Sequence, residues 1–215
     1  VGERYERRIF FITLFSGFGT IDEAGNIMGV HELKDGKKKV VTIFGSSRPI
    51  PGDAEYQVAY AIGRELAAAG FTVCNGGYKG TMEASARGAK EAGGSTLGIV
   101  AESFAPRTPN QWIDTAITKS SLIDRMLELI DRGDAYVVLK GGTGTLLELA
   151  AVWELMNKTL LAEKPIVIVG GFWSEVVHTL KDELAWEGLE KCTRYVLTAS
   201  DPADAARILA ARLSA

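Results

Sequence analysis

Glycines, hydroxyls and one carboxylate are crowded into Lys140-Gly141-Gly142-Thr143-Gly144-Thr145-Leu146-Leu147-Glu148, directly after an apolar run and at the start of a helical pattern. A glycine-rich turn at a helix N-terminus presents backbone amides and the positive end of the helix dipole, which together favour a phosphate. The spacing predicts that Glu148 lies in the first helical turn, beside whatever the glycines hold. An acid beside a phosphate site suits chemistry on a nucleotide. The plainer role is a glutamate that complements the helix dipole, worth about 0.3–1 kcal/mol. Against it stand Leu146, Leu147, Leu149, Ala150, Ala151, Val152, Trp153, Leu155 and Met156, which make the helix apolar on nearly every side and predict its burial. A carboxylate in such a helix is costly unless it faces a cleft or meets a cation.

A cation is available one helix earlier. Between Ser121 and Ile130, Leu122, Met126 and Leu129 form the expected core stripe, and Arg125 projects from another side. By spacing alone its favoured role is an i,i+3 pair with Glu128, worth tenths of a kcal/mol. Two more glycine clusters follow apolar runs: Gly45-Ser46-Ser47-Arg48 and Gly76-Gly77-Tyr78-Lys79-Gly80-Thr81. A single cluster is commonly only a turn or a close packing point. Three at equivalent positions are candidates for converging on one ligand, which makes Gly45, Ser46, Ser47, Gly76, Gly77, Gly141, Gly142, Thr143, Gly144 and Thr145 the expected substrate- or phosphate-binding residues.

The elements that must position these residues alternate. Val40 to Phe44, Phe71 to Asn75, Thr96 to Val100, Tyr136 to Leu139 and Ile166 to Val169 read as buried parallel strands. Helical patterns fall near 53–69, 79–93, 121–132, 144–158, 173–187 and 202–213. The alternation predicts an α/β fold with a doubly wound, mostly parallel Rossmann-like sheet and helices on both faces, whose ligand crevice lies at the carboxyl ends of the strands. Residues 1–39 read differently, as an N-terminal hairpin extension with strands at Ile9 to Phe15 and Ile27 to Leu33, leaving 40–215 as the nucleotide-binding domain.

With 215 residues, 47% hydrophobic and 24% charged, the chain has the composition of an ordinary globular domain. A formal net charge of −3 gives no reason to expect a nucleic-acid partner or an anionic membrane surface. No apolar run approaches a membrane span, and acidic Glu3 and Glu6 among the first residues argue against a signal peptide, so a cytoplasmic location is expected. Cys74 and Cys192 lack ligand or disulfide spacing and read as reduced thiols; His31 and His178 have no ligand-spaced companions, so no metal site is expected. Neither GxGxxG nor GxxxxGK[ST] nor G-x-S-x-G occurs, which weighs against ordinary dinucleotide binding, ATP hydrolysis and serine hydrolysis.

Phe44-Gly45-Ser46-Ser47-Arg48-Pro49, Gly76-Gly77 with Gly80-Thr81-Met82-Glu83-Ala84, Gly88-Ala89 with Gly93-Gly94, Arg125, and Gly141 to Thr145 with Glu148 occur in an order that resembles the Lonely Guy (LOG) family over about residues 40 to 200. Its signature has the form PGGxGTxxE with an arginine upstream. The resemblance implies a phosphoribohydrolase that cleaves a nucleoside 5′-monophosphate, of the cytokinin riboside or AMP type, into free base and ribose 5-phosphate. It implies Glu148 and Arg125 as the catalytic pair, Gly141 to Thr145 as the phosphate turn, no cofactor, and a homodimer. Two positions depart from the family pattern: Lys140 stands where proline is usual, placing an amine beside the phosphate turn, and Met126 stands where lysine is usual after the arginine. They bring the chain nearer to molybdenum-cofactor carrier proteins, so a non-catalytic nucleotide- or cofactor-binding protein is the alternative. Lysine decarboxylation, a label often attached to the family, finds no support, because no partner for a pyridoxal ring accompanies Lys140.

Overall fold

The computed structural model describes residues 38–214; the hairpin expected within 1–39 lies outside the described residues apart from Lys38 and Lys39, which precede the first strand. The chain runs β1 (Val40–Phe44), α1 (Ala54–Ala68), β2 (Thr72–Asn75), α2 (Thr81–Glu91), β3 (Thr96–Ala101), a short 3-10 turn (Glu102–Phe104), β4 (Thr115–Lys119), α3 (Leu122–Arg132), β5 (Ala135–Val138), α4 (Thr143–Asn157), β6 (Ile166–Val169), α5 (Ser174–Trp186), a 3-10 turn (Glu190–Tyr195), β7 (Val196–Ala199) and α6 (Pro202–Leu213). Among the described residues the strands form one sheet in the order β4-β3-β2-β1-β5-β6-β7, and every neighbouring pair is parallel. The doubly wound sheet is therefore as expected, with two strands more than the apolar runs predict. Those two, β4 and β7, are its edges. β4 is exposed or half-exposed along its whole length and β7 over half of it, so neither carries the continuous apolar run that marks a strand buried on both faces.

Strand alternation divides the core in two. Val41, Ile43, Val73, Ala135, Val137 and Val167 point to one side, where they meet α1, α2 and α6. Phe44, Cys74, Ile99, Tyr136, Val138 and Ile168 point to the other, against α3, α4 and α5. The chain crosses between the layers at the β1/β5 boundary, where the strand order reverses direction. Here the register matters: Val41 lies opposite Ala135 and Phe44 opposite Val138, so both strands end level. The Leu139 amide then donates to the Phe44 carbonyl at 2.9 Å, and the turns after β1 and β5 leave the sheet side by side.

Helix starts and close helix contacts fix the rest. Ser121 caps α3 by accepting from the Asp124 amide, and Asp201 caps α6, whose first residue is Pro202. On the layer that α6 shares, α1 and α2 meet backbone to backbone. A Cβ added at Gly63 would lie 2.0 Å from the Ser85 carbonyl oxygen, and one at Gly88 would lie 2.0 Å from that of Tyr60. Neither helix can yield without pulling residues off the sheet. Gly88→Ala is expected to cost about 1–3 kcal/mol by overpacking this contact. Urea unfolding measures it, and an unchanged midpoint would mean that the two helices separate freely.

Candidate active site

The sequence-derived site residues divide into two groups in space. The turn after β1 is tied to the start of α2: the Ser46 carbonyl accepts from both the amide and the hydroxyl of Thr81, at 2.9 and 3.0 Å. The turn after β5 runs beside it. Gly142 is the N-cap of α4, Gly142, Thr143 and Gly144 are exposed, and a Cβ added at Gly142 or Gly144 would meet nothing within 4 Å. This backbone is open to a close-approaching anion. Thr145, by contrast, is buried, and its hydroxyl lies beneath Gly141, where an added Cβ would approach it to 2.2 Å. Thr145 holds the turn from below and does not face outward.

Gly76 and Gly77 are also buried. The Gly77 amide is spent on the Asn75 carboxamide oxygen, and the Gly76 carbonyl accepts from Arg125. An added Cβ at Gly76 would sit 1.7 Å from an Arg125 nitrogen. The missing side chain at 76 is what admits the guanidinium. Arg125 is therefore not the surface partner of Glu128 that spacing alone favours. Glu128 is held by Lys119 and Arg132, while Arg125 is buried together with Met126, Leu129 and Ile130. Leu122, expected in the core stripe, is 43% exposed instead. The helix is rotated so that its arginine faces inward. Arg125 Nε donates to the Ile99 carbonyl at 2.7 Å, Nη2 to that of Gly76 at 3.1 Å, and the guanidinium lies 5.7 and 5.9 Å from the ring centres of Tyr78 and Phe104.

Its remaining nitrogen, Nη1, is 4.0 Å from Glu148 Oε1. Because α4 begins at Thr143, Glu148 stands in its second turn and not the first, too far in for a simple dipole complement. The helix is also less buried than its composition suggests: Leu149, Val152, Trp153 and Met156 enter the core, while Leu147 is 45% exposed. Glu148 faces neither way fully, with its side chain 16% exposed. Among the described residues no group hydrogen-bonds to its carboxylate. Burial therefore dominates and pushes its pKa up to about 7, with Arg125 pulling the other way. Burial likewise presses the Arg125 pKa down, and the Glu148 charge leads the groups opposing this. The result is a carboxylate poised between its two protonation states near neutrality, next to an open phosphate-type turn.

The two departures from the family pattern point away from this pair. Met126 is buried in the core with Cys74 and Ile99. The Lys140 amine does not turn toward the glycines: Nζ is 2.5 Å from Glu55 Oε1 and 5.7 Å from the Phe172 ring centre. Sequence reasoning missed the residues that shape the arginine pocket. Asn75 donates to the Met82 carbonyl while accepting from Gly77, Asn110 donates to the carbonyls of Gly77 and Tyr78, and the Tyr78 hydroxyl accepts from the Ala101 amide. An asparagine before two glycines is turn chemistry and was available as a signal for Asn75; Asn110, Tyr78 and Phe104 come together only through the sheet.

The profile of the SLOG cluster4 family matches residues 38–202. Over 115 residues the chain is 34% identical to a cytokinin riboside 5′-monophosphate phosphoribohydrolase of Mycobacterium tuberculosis, a match covering 53% of this chain and 61% of that protein. The matched stretch thus spans less than two thirds of that relative's length. Over 182 residues it is 29% identical to the cytokinin riboside 5′-monophosphate phosphoribohydrolase LOG2 of Arabidopsis thaliana, covering 80% and 82% of the two chains. The solved molybdenum cofactor binding protein of Rippkaea orientalis shares the fold, with a TM-score of 0.65 at 23% identity over 82% of this chain and 98% of that one.

The raised Glu148 pKa carries a stability consequence. A carboxyl that binds its proton more tightly when folded contributes stability that is fully present below the unfolded value of 4.5 and is lost as pH rises through about 7. Glu148→Gln, which mimics the protonated form at every pH, is expected to gain roughly 2–3 kcal/mol relative to wild type between pH 5 and pH 8.5. Denaturant unfolding of both proteins at the two pH values measures the difference, and a pH-independent difference would place Glu148 in water.

Proposed function

The chain belongs to the SLOG cluster4 family, and from that premise we propose that it is a nucleoside 5′-monophosphate phosphoribohydrolase acting on substrates of the cytokinin riboside or AMP type. The observation that carries this reading is the buried Arg125–Glu148 pair standing one helical turn behind an open glycine turn. In the proposed reaction the amides of Gly142 to Gly144 hold the 5′-phosphate, and Gly45, Ser46 and Ser47 border the same crevice. The N-glycosidic bond breaks with its electron pair leaving on the base, and C1′ acquires oxocarbenium character. Water adds hydroxide to C1′ and a proton to the departing base, giving free base and ribose 5-phosphate.

The Glu148 carboxylate stabilises the positive charge at C1′ and orients the water; its ionised form is required for both. Arg125 acts at fixed position. Two of its nitrogens are committed to the Ile99 and Gly76 carbonyls, so it holds Glu148 in place and favours the ionised form without moving. No metal or redox group takes part in this scheme. A carrier protein on the same scaffold needs the glycine turn and has no use for a poised carboxylate, so the test of hydrolysis against binding falls on Glu148.

The chain is also proposed to form a homodimer. Leu122, Ile123 and Leu127 on α3 and Leu147 on α4 are 43%, 51%, 38% and 45% exposed, on the two helices that carry the pair. A second copy is the occupant that the family resemblance supplies for this face. Among the described residues no helix is long and apolar enough to cross a membrane, and both described cysteines are buried and unpaired. We assign the protein to the cytoplasm on the strength of those thiols.

Incubating the full chain with AMP and cytokinin riboside monophosphates should release free base, with a rate that rises with pH through about 7 as Glu148 ionises. Glu148→Gln is expected to lower turnover by roughly 10²-fold or more while leaving AMP affinity in place. Gly142→Val, whose side chain enters open space, should abolish AMP binding without unfolding the protein. Release of no base from any monophosphate, with AMP still bound, makes the protein a carrier. Light scattering at several concentrations should give the mass of two chains; a monomer mass throughout would remove the dimer.

A further inference from the structure

Beyond the β1/β5 boundary, on the side away from Arg125, a cleft of about 330 Å³ opens at the carboxyl ends of β5, β6 and β7. It belongs to no part of the hydrolytic scheme. Arg125 and Glu148 work over the ends of β2 and β3, through Gly76 and Ile99, whereas this cleft is walled by Val58, Leu139, Val169, Phe172 and Pro202. Its size is that of small-molecule sites, and its lining is mainly apolar. Phe172 is 51% exposed and Val58 37% exposed, so two of the larger apolar side chains left uncovered face the same space. Gly170 and Gly171 line it too, and neither has any atom within 4 Å of where a Cβ would stand, so the backbone there is open to close approach by a flat group.

Three charged groups sit in its lining: Lys140 and Glu55 beside the phosphate turn, and Asp201, whose carboxylate is engaged in capping α6. Lys140 immediately precedes Gly141, and its amine lies between the Glu55 carboxylate and the Phe172 ring. Both members of that pair are about a third to a half exposed, so it is weak and easily reorganised by a ligand. A phosphate seated on Gly142 to Gly144 therefore has the Arg125–Glu148 pair on one side and, on the other, an amine, a carboxylate and an aromatic face. A nucleoside monophosphate fills only the first side. In doubly wound sheets, ligands with two nucleotide halves lie across the point where strand order reverses, with the pyrophosphate at the helix N-terminus there.

We propose that this cleft is a second ligand compartment, and that the protein takes nucleotides whose 5′-phosphate is joined through a pyrophosphate to a second, ring-bearing group. Lys140 meets the second phosphate, Glu55 is released to accept from sugar hydroxyls, and the ring stacks on Phe172. The proposal rests on the reading of Gly142 to Gly144 as the phosphate turn. It also gives Lys140, a departure from the family pattern, a task that proline cannot perform.

Calorimetric titration of the full chain carrying Glu148→Gln, to suppress turnover, compares AMP with diadenosine diphosphate, in which two adenosines are joined 5′ to 5′ by a pyrophosphate. The dinucleotide is expected to bind at least tenfold more tightly. Val58→Trp, which fills the cleft, and Phe172→Ala, which removes its stacking face, should each return the dinucleotide to the affinity of AMP and leave AMP itself unchanged. Equal or weaker dinucleotide binding, or a gain that survives both substitutions, overturns the compartment while AMP binding keeps the phosphate turn. Failure of AMP to bind at all overturns the phosphate turn and the compartment with it.

Discussion

A buried guanidinium organises the end of this sheet where the candidate site lies. Moving an unpaired cation out of water costs several kcal/mol even after relaxation, so the surroundings of Arg125 must replace its hydration almost completely. They do so with backbone more than with charge. Carbonyls of Ile99 and Gly76 take two of its donors, the rings of Tyr78 and Phe104 lie close to the guanidinium, and Glu148 supplies a single carboxylate at 4.0 Å. Each of these demands something further. Gly76 must lack a side chain, and the turn that carries it must be held by Asn75 and Asn110, which satisfy the Gly77 amide and the carbonyls of Gly77 and Tyr78. The two strands that lead to these groups, β2 and β3, are parallel neighbours, so the arginine is also what pins α3 to their ends.

The same arrangement sets the state of Glu148. Were Arg125 in hydrogen-bond contact with it, the pair would be a closed salt bridge with a firmly ionised carboxylate. At 4.0 Å the attraction is real but incomplete, because the guanidinium has already spent Nε and Nη2 on carbonyls. Desolvation of the carboxylate is left ahead of its attraction to the cation, and the pKa rises to about 7. An electrostatic site of this kind needs no movement: its charges are held by the fold before any ligand arrives.

The central strands and every described α-helix were legible in the sequence, since β6 is an uninterrupted apolar run, β1 is broken only by Thr42, and Ser121, Asp201 and Pro202 mark helix starts. The edges were not. A strand such as Thr115–Lys119 has one side facing solvent, so its pattern differs little from that of a polar loop. At the site, the glycine clusters and Glu148 were visible as local spacing, but the orientation of Arg125 was not. Its neighbours in sequence offered Glu128 as a partner, and only the rotation of α3 against β2 and β3 turns it inward. Gly76 and Gly77, expected from their spacing to line a ligand site, have neighbours that spacing does not reveal. Both are buried, Gly76 making room for the guanidinium and Gly77 for Val100 and Gly98, because the sequence records that a side chain is missing without recording which atom fills the space.

Lys140 and Met126 can be weighed in the same terms. A lysine after the arginine would have to place its amine among Cys74, Ile99 and Leu129, where a second buried cation beside Arg125 would compete for the same few carbonyls; methionine fills that core instead. Proline before the glycines would stiffen the turn and carry no charge, whereas lysine extends away from the turn to Glu55 and the cleft beyond it. Neither side chain pairs with Glu148, whose charged partner is Arg125. Of the two positions, Lys140 stands on the rim of the cleft and Met126 in the core beside the arginine. A side chain at 140 can then act across the β1/β5 boundary without disturbing the charge pair, because the two are separated by the strands whose level ends define that boundary.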